Sequence, residues 1–196
     1  METLNDALFL RINASTAPEA FTLAYFLAVR LVYAVPLLIA LGWLRGGEGA
    51  RKAMLLAATS ALLGLLASYL IGQAWPHPRP FAIGLGHLWI PHAANASFPS
   101  NHLTFWWAVA CAWLLQPGWR IAGAALALLG LSVAWARVYL GVHFPLDMVG
   151  AFVVALCSAW LARLSARWYL ESLYRAAAGL HRRLFAPLIA LGWVRE

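Results

Sequence analysis

Five long apolar stretches, each parted from the next by a short polar or proline-rich segment, dominate the pattern of this chain. They run from about Phe21 to Trp43, Ala53 to Trp75, Pro99 to Leu115, Ile121 to Tyr139 and Phe144 to Ala166. A helix crosses a bilayer with roughly 20 apolar residues, so each stretch reads as a spanning segment. Arg30 and Pro36 fall inside the first and blur its limits. Residues 4–13, LNDALFLRIN, predict a short amphipathic helix lying at the interface. In the tail, residues 167–196, the apolar piece Leu184 to Val194 is too short to span and predicts a second interfacial helix. The expected architecture is all-α: a polytopic transmembrane bundle of about five spanning helices with interfacial N- and C-terminal helices. Residues 1–196 are expected to form a single membrane-embedded domain.

Composition agrees with this pattern. Hydrophobic residues make up 63% of the chain and charged residues 11%, which excludes a soluble globular domain. A net charge of +7 could suit nucleic acid or anionic lipid, but the basic residues sit mostly at the ends of apolar runs. They are better explained by topology, and no nucleic-acid partner is expected. Five crossings put Arg45, Arg51, Lys52, Arg120, Arg163 and Arg167 on one side, the expected cytoplasmic side. The N-terminal segment, the 76–98 loop and the 137–144 turn then share the opposite face. Cys111 and Cys157 both lie inside apolar runs and read as small hydrophobes, with no disulfide or metal assigned. Met1 to Glu19 lacks a basic region followed by a long apolar core, so no cleavable signal peptide is expected. The pattern fixes no oligomeric state.

Candidate chemistry gathers on the extracytoplasmic face. Asp147 is the only acidic residue between Glu48 and Glu171. A lone carboxylate among apolar segments needs a partner, and His143, four residues earlier, is the nearest in sequence. Ser97 followed by Phe98-Pro99 reads as a helix N-cap, and His143-Phe144-Pro145 opens the next helix in a similar way. Two helix starts facing one pocket would present free N–H donors and positive dipole ends to an anion. Arg79 and Arg137 add planar forks suited to phosphate oxygens. The expected ligand is therefore a phosphate held without metal or other cofactor. In such a site His143, oriented by Asp147, can attack phosphorus, and His102 can protonate the departing oxygen.

Three segments carry a family resemblance: Arg79-Pro80, Pro99-Ser100-Asn101-His102, and Ala136-Arg137-x5-His143-x3-Asp147. They resemble, in order and spacing, the motifs K-x6-R-P, P-S-G-H and S-R-x5-H-x3-D of the type-2 phosphatidic acid phosphatase superfamily of membrane lipid phosphatases. The resemblance implies His143 as the nucleophile that becomes phosphohistidine, Asp147 as its orienting carboxylate and His102 as the general acid. It also implies Arg79, Ser100, Asn101 and Arg137 as phosphate-binding residues. This chain departs from the motifs at Gly72, where the lysine is expected, at Asn101 in place of glycine, and at Ala136 in place of serine. Gln73 is the nearest polar candidate to take over from the lysine.

Trp89-Ile90-Pro91-His92-Ala93, the run Ser97-Phe98-Pro99-Ser100 and Arg79-Pro80-Phe81 are most similar to the bacitracin-resistance type of undecaprenyl-diphosphatase. That implies hydrolysis of undecaprenyl diphosphate in a bacterial plasma (inner) membrane, with the site facing the periplasm or exterior. The implied partner is a membrane lipid, a polyprenyl or glycerolipid phosphate. Alternative substrates are phosphatidylglycerophosphate, phosphatidic acid and lipid A phosphates, and a non-enzymatic alternative is a binder or transporter of phosphate lipids.

Other polar and aromatic residues take plainer readings. His77, His87 and His92 match no compact zinc pattern and read as solvated or headgroup-facing histidines. Arg30 reads as snorkelling to the interface or pairing within the bundle. Trp106 and Trp107, one turn beyond His102, suit either packing or a groove for a lipid tail.

Overall fold

The structure is a computed structural model that describes residues 2–14 and 17–195. In order come α1 (Glu2–Asn13), α2 (Pro18–Tyr25), α3 (Ala34–Arg45), α4 (Glu48–Ala74), α5 (Asn101–Leu114), α6 (Arg120–Tyr139), α7 (Pro145–Leu184) and α8 (Ala186–Ala190). No strand occurs among the described residues. Two irregular turns, Phe26–Arg30 and Leu31–Tyr33, join α2 to α3 just ahead of Pro36, whose missing N–H leaves the Val32 carbonyl without its helical donor. Arg30, on this stretch, is exposed and lies 5.9 Å from the Tyr25 ring centroid.

Four helices among the described residues are long and apolar enough to cross a membrane: Glu19–Arg45, Glu48–Ala74, Pro117–Tyr139 and Pro145–Leu184. The remaining expected span is α5, at 14 residues shorter than the expected stretch. It packs against α4, α6 and α7, which keep it from lipid, and Leu103, Trp106, Trp107, Val109 and Trp113 are buried there. Non-helical backbone at its ends is tolerated at membrane depth because protein surrounds it. Trp106 Nε1 donates to the Leu126 carbonyl at 2.7 Å and Trp107 Nε1 to that of Ala127 at 3.1 Å. The two indoles therefore knit α5 to α6, and Gly130 is the position where a side chain would collide with them. They are packing residues.

Three sequence expectations change. The fifth span does not end near Ala166, because α7 runs unbroken for 40 residues to Leu184. At 1.5 Å per residue that is about 60 Å, roughly twice the hydrocarbon core. Residues 167–184 are mostly Ala, Leu, Arg and other good helix formers without proline, so nothing stops the helix at the membrane boundary. Lys52 braces the extension, 2.6 Å from Glu48 and 2.7 Å from Glu171.

The expected helix over Leu184–Val194 is only the short α8, which begins at Ala186 with Pro187 in its first turn and ends at Ala190, ahead of Gly192, whose φ is +72°. Beyond it the chain folds back: Arg195 N donates to the Leu44 carbonyl at 3.1 Å, and buried Arg51 Nη2 donates to the Arg195 carbonyl at 2.6 Å. Finally, α1 is more than an interfacial helix, because its Phe9 is fully buried in the core. Asn13 Nδ2 donates to the His87 and Tyr139 carbonyls at 2.9 and 2.7 Å, and its Oδ1 accepts from His87 N at 2.6 Å. One amide thus satisfies the backbone of two loops. It also requires a close approach at Gly141, φ +79°, where a Cβ would strike the His87 carbonyl. The result is a rigid cap of α1, the 75–100 loop and the 140–144 turn at one end of the bundle.

Candidate active site

That cap brings His143 and Asp147 together as the i,i+4 spacing predicts: His143 Nδ1 lies 3.1 Å from Asp147 Oδ2. Both side chains are only 2% exposed. The same Oδ2 accepts from the Phe144 amide at 2.9 Å and from the Ser97 hydroxyl. Asp147 is therefore the N3 residue that caps its own helix, as well as the orienting group for the imidazole. Arg79 Nη1 stands 3.2 Å from His143 Nε2 and donates to the Val142 carbonyl at 2.6 Å. These partners assign the tautomer. Nδ1 carries the proton toward the carboxylate, and Nε2 keeps its lone pair toward the guanidinium. Burial pushes the His143 imidazole down to about 3, with the Asp147 hydrogen bond opposing and Arg137 reinforcing, so the ring is neutral at physiological pH.

Arg79 is held along its length. Nε and Nη2 donate to Asn95 Oδ1 at 3.0 and 2.9 Å, and Nη2 also donates to the Ala96 carbonyl at 3.1 Å. Burial lowers its guanidinium to about 10, the Asp147 charge opposing, which leaves it charged at neutral pH. Arg137, 2% exposed, comes in from the last turn of α6. It forms no ion pair among the described residues, and its Nε is buried with no hydrogen-bond partner. Two buried guanidiniums and one carboxylate leave an unbalanced positive charge around the neutral His143 imidazole. An anion is the complement such a pocket requires.

Ser97 is not the N-cap of α5. That position belongs to Ser100, three residues later, while Ser97 turns inward to Asp147. Ser100 Oγ is buried without a partner, and no side chain caps the amides of Asn101, His102 and Leu103. An unpaired hydroxyl and an open helix start are the donors a phosphate oxygen takes. The second expected helix start is not available to an anion. In α7 the Phe144 amide is taken by Asp147 and the Leu146 amide by Asn5 Oδ1 at 3.1 Å.

His102, half-buried on the first turn of α5, makes no hydrogen bond among the described residues and lies within electrostatic range of Arg137, His92 and Arg79. Asn101 is exposed. It lines a polar recess of about 150 Å³ with Gln73, Asn95, Ser68 and Tyr69, on the α4 side of Arg79. Gly72, the position of the expected lysine, is buried and faces Ala96. Gln73 lines the recess.

Sequence reasoning missed two residues. Ser97 was read as a helix cap, and its contact with a carboxylate 50 positions away has no local signal. His92 was read as a solvated loop histidine, but its ring meets that of His143 edge-on at 6.4 Å and its Nε2 lies 3.3 Å from Arg137 Nη2. Its proline neighbour and the phosphatase-like run around it were the available hint. His77 stacks edge-on against Phe144 at 5.7 Å, and the backbone of exposed His87 anchors Asn13. Among the described residues no group of three His, Cys, Asp or Glu side chains converges as a ligand set for a metal.

Known proteins share this sequence and architecture. Residues 52–171 match the sequence profile of the PAP2 superfamily. YbjG of Escherichia coli K12 is 37% identical over the full length of both chains. The undecaprenyl-diphosphatase BcrC of Bacillus subtilis is 37% identical over 136 residues, 69% of each chain. The crystal structure of Aquifex aeolicus LpxE superposes with a TM-score of 0.64 at 27% identity, covering 81% of this chain and 94% of that one. A PAP2-type phosphatidylglycerolphosphate phosphatase from Bacillus subtilis shares the fold, with a TM-score of 0.57 at 20% identity over 86% and 87% of the two chains.

Proposed function

This chain, a multi-pass membrane lipid phosphatase, belongs to the PAP2 superfamily, and we propose that it cleaves undecaprenyl diphosphate through a phosphohistidine at His143. The observation that carries the chemistry is the pair of contacts on the His143 ring, Asp147 on one nitrogen and Arg79 on the other. Its Nδ1 faces Asp147, and its Nε2 faces the Arg79 guanidinium, whose fork suits phosphate oxygens.

In the first step Nε2 attacks the terminal phosphorus. The bond from phosphorus to the bridging oxygen breaks, its electron pair leaves with undecaprenyl phosphate, and His102, entering as the imidazolium, gives that oxygen its proton and becomes neutral. Negative charge on the five-coordinate phosphorus is met by Arg79, Arg137, Ser100 and the open start of α5. The new imidazolium is balanced by Asp147. Water, deprotonated by His102, then attacks the phosphorus, the P–N bond breaks, and inorganic phosphate leaves with His143 neutral again.

The substrate assignment is supported by similarity to BcrC, whose name states that activity. The reading of an extracytoplasmic site in a bacterial plasma membrane is supported by charge. Arg45, Arg51, Lys52 and the basic extension of α7 gather at the end of the bundle opposite His143. Phosphate release across undecaprenyl diphosphate, phosphatidylglycerophosphate, phosphatidic acid and lipid A phosphates tests the proposal. The expected result is highest kcat/KM for undecaprenyl diphosphate and none for His143→Ala. Release from no member of the panel, or an undiminished His143→Ala enzyme, contradicts it.

A further inference from the structure

His92 belongs to none of the motif segments, yet it is the side chain that holds Arg137. Its loop is pinned on both sides. Before it, Trp89 N donates to the Leu140 carbonyl at 3.1 Å and the Trp89 ring stacks on Tyr139 at 6.2 Å. After it, Asn95 and Ala96 are bound by Arg79, and Ser97 N donates to the His77 carbonyl at 2.8 Å. The imidazole is packed between Phe81 and His143, each at 6.4 Å.

Within that seat the hydrogen bonds assign its protons. Nδ1 lies 3.0 Å from the Ala93 carbonyl, which can only accept, so Nδ1 carries the hydrogen. Nε2 is then a lone pair, and Arg137 Nη2 donates to it at 3.3 Å. Burial lowers the pKa of His92 below its ordinary value, the Ala93 hydrogen bond opposes this, and the charges of Arg79 and Arg137 lower it further. The groups around it are Arg137 from α6, Arg79 from the loop, His102 from α5 and His143 from the turn. The carboxylate of Asp147 is engaged on the Nδ1 side of His143.

Among the described residues this bond is the sole side-chain tether of a guanidinium that lacks a carboxylate and keeps a buried, unpartnered Nε. We propose that His92 is a positioning residue: its neutral Nε2 fixes one arm of Arg137 so that the Nε edge is aimed at the phosphoryl group bound beside His143. The inference rests on the lipid-phosphatase reading of the same site. It makes His92 act through Arg137, where a residue that merely stiffened the loop would act without it.

A double-mutant cycle on the full-length protein in detergent separates the two, read as the Kd for inorganic phosphate and so independent of turnover. His92→Ala weakens phosphate binding about tenfold, the worth of one charge-assisted hydrogen bond. His92→Gln, which can place an amide oxygen near Nε2, restores binding to within about threefold of wild type. In an Arg137→Gln background, His92→Ala has no further effect. An undiminished effect in that background, or no recovery with His92→Gln, overturns the inference. Wild-type turnover on the lipid panel is measured beside it. A protein that binds phosphate with the expected cycle but hydrolyses no lipid contradicts the enzymatic reading alone.

Discussion

Ser97 and Asp147, 50 residues apart in sequence, meet in the buried cap, where the serine hydroxyl donates to the same carboxylate oxygen that faces His143. Asp147 Oδ2 thus answers to three donors: a hydroxyl from the loop, an imidazole from the turn and the amide that starts α7. The aim of the His143 imidazole is set by the loop as well as by its own helix. Ser97→Ala leaves the other two donors in place, so the fold should survive with a loss of about 1 kcal/mol. The rate should fall roughly tenfold, because the carboxylate gains freedom to turn. Steady-state kinetics with a thermal melt checks this, and an unchanged kcat would show that Ser97 fills space only.

Asp147→Asn should keep the helix cap, since the amide oxygen can still accept from the Phe144 amide. Being uncharged, it cannot balance the imidazolium that forms when Nε2 takes the phosphoryl group. By analogy with the same exchange in hydrolytic triads, kcat should fall on the order of 10³–10⁴-fold. A melt within a few degrees of wild type, together with that loss, separates orientation from folding.

His102 is the expected acid for the leaving oxygen, and a diphosphate leaves more easily than an alkoxide. His102→Ala should therefore damage hydrolysis of phosphatidic acid more than hydrolysis of undecaprenyl diphosphate, by about tenfold or more in relative kcat. Equal losses on the two substrates would remove His102 from that role.

Burial sets a pH dependence of stability. The folded His143 pKa, about 3, lies below the ordinary value of 6.5. Between those two values the unfolded chain takes up a proton that the folded one refuses, so stability falls as pH drops below about 6.5. The Tm in detergent should decline from pH 7 toward pH 4.5, and His143→Gln should decline less steeply. Parallel slopes for the two proteins would argue that His143 is not held neutral.

Much of this site was legible from local spacing. An i,i+4 histidine and aspartate at a helix start can meet only as they do, and the two arginines sit at the ends of apolar runs that topology brings to one face. The long-range partners were hidden. Asn13, Ser97 and His92 act on residues between 45 and 126 positions away, and isolated asparagine, serine or histidine side chains in a loop carry no period. The five apolar runs likewise located the helices but not their ends. Apolarity stops at the membrane boundary, whereas helix propensity carries α7 on to Leu184. Gly72 is a departure from the motif lysine, and the polar recess in which it takes part is lined by Gln73 and Asn101 as well.

The central claim is that the phosphoryl group passes through His143. Rapid-quench trapping with undecaprenyl diphosphate labelled at its terminal phosphorus tests it most directly. The account predicts an acid-labile, alkali-stable label on the wild-type protein during turnover, located at His143 by peptide mapping and absent from His143→Ala. Turnover without any bound label at the earliest quench times, or a label retained by His143→Ala, would contradict it.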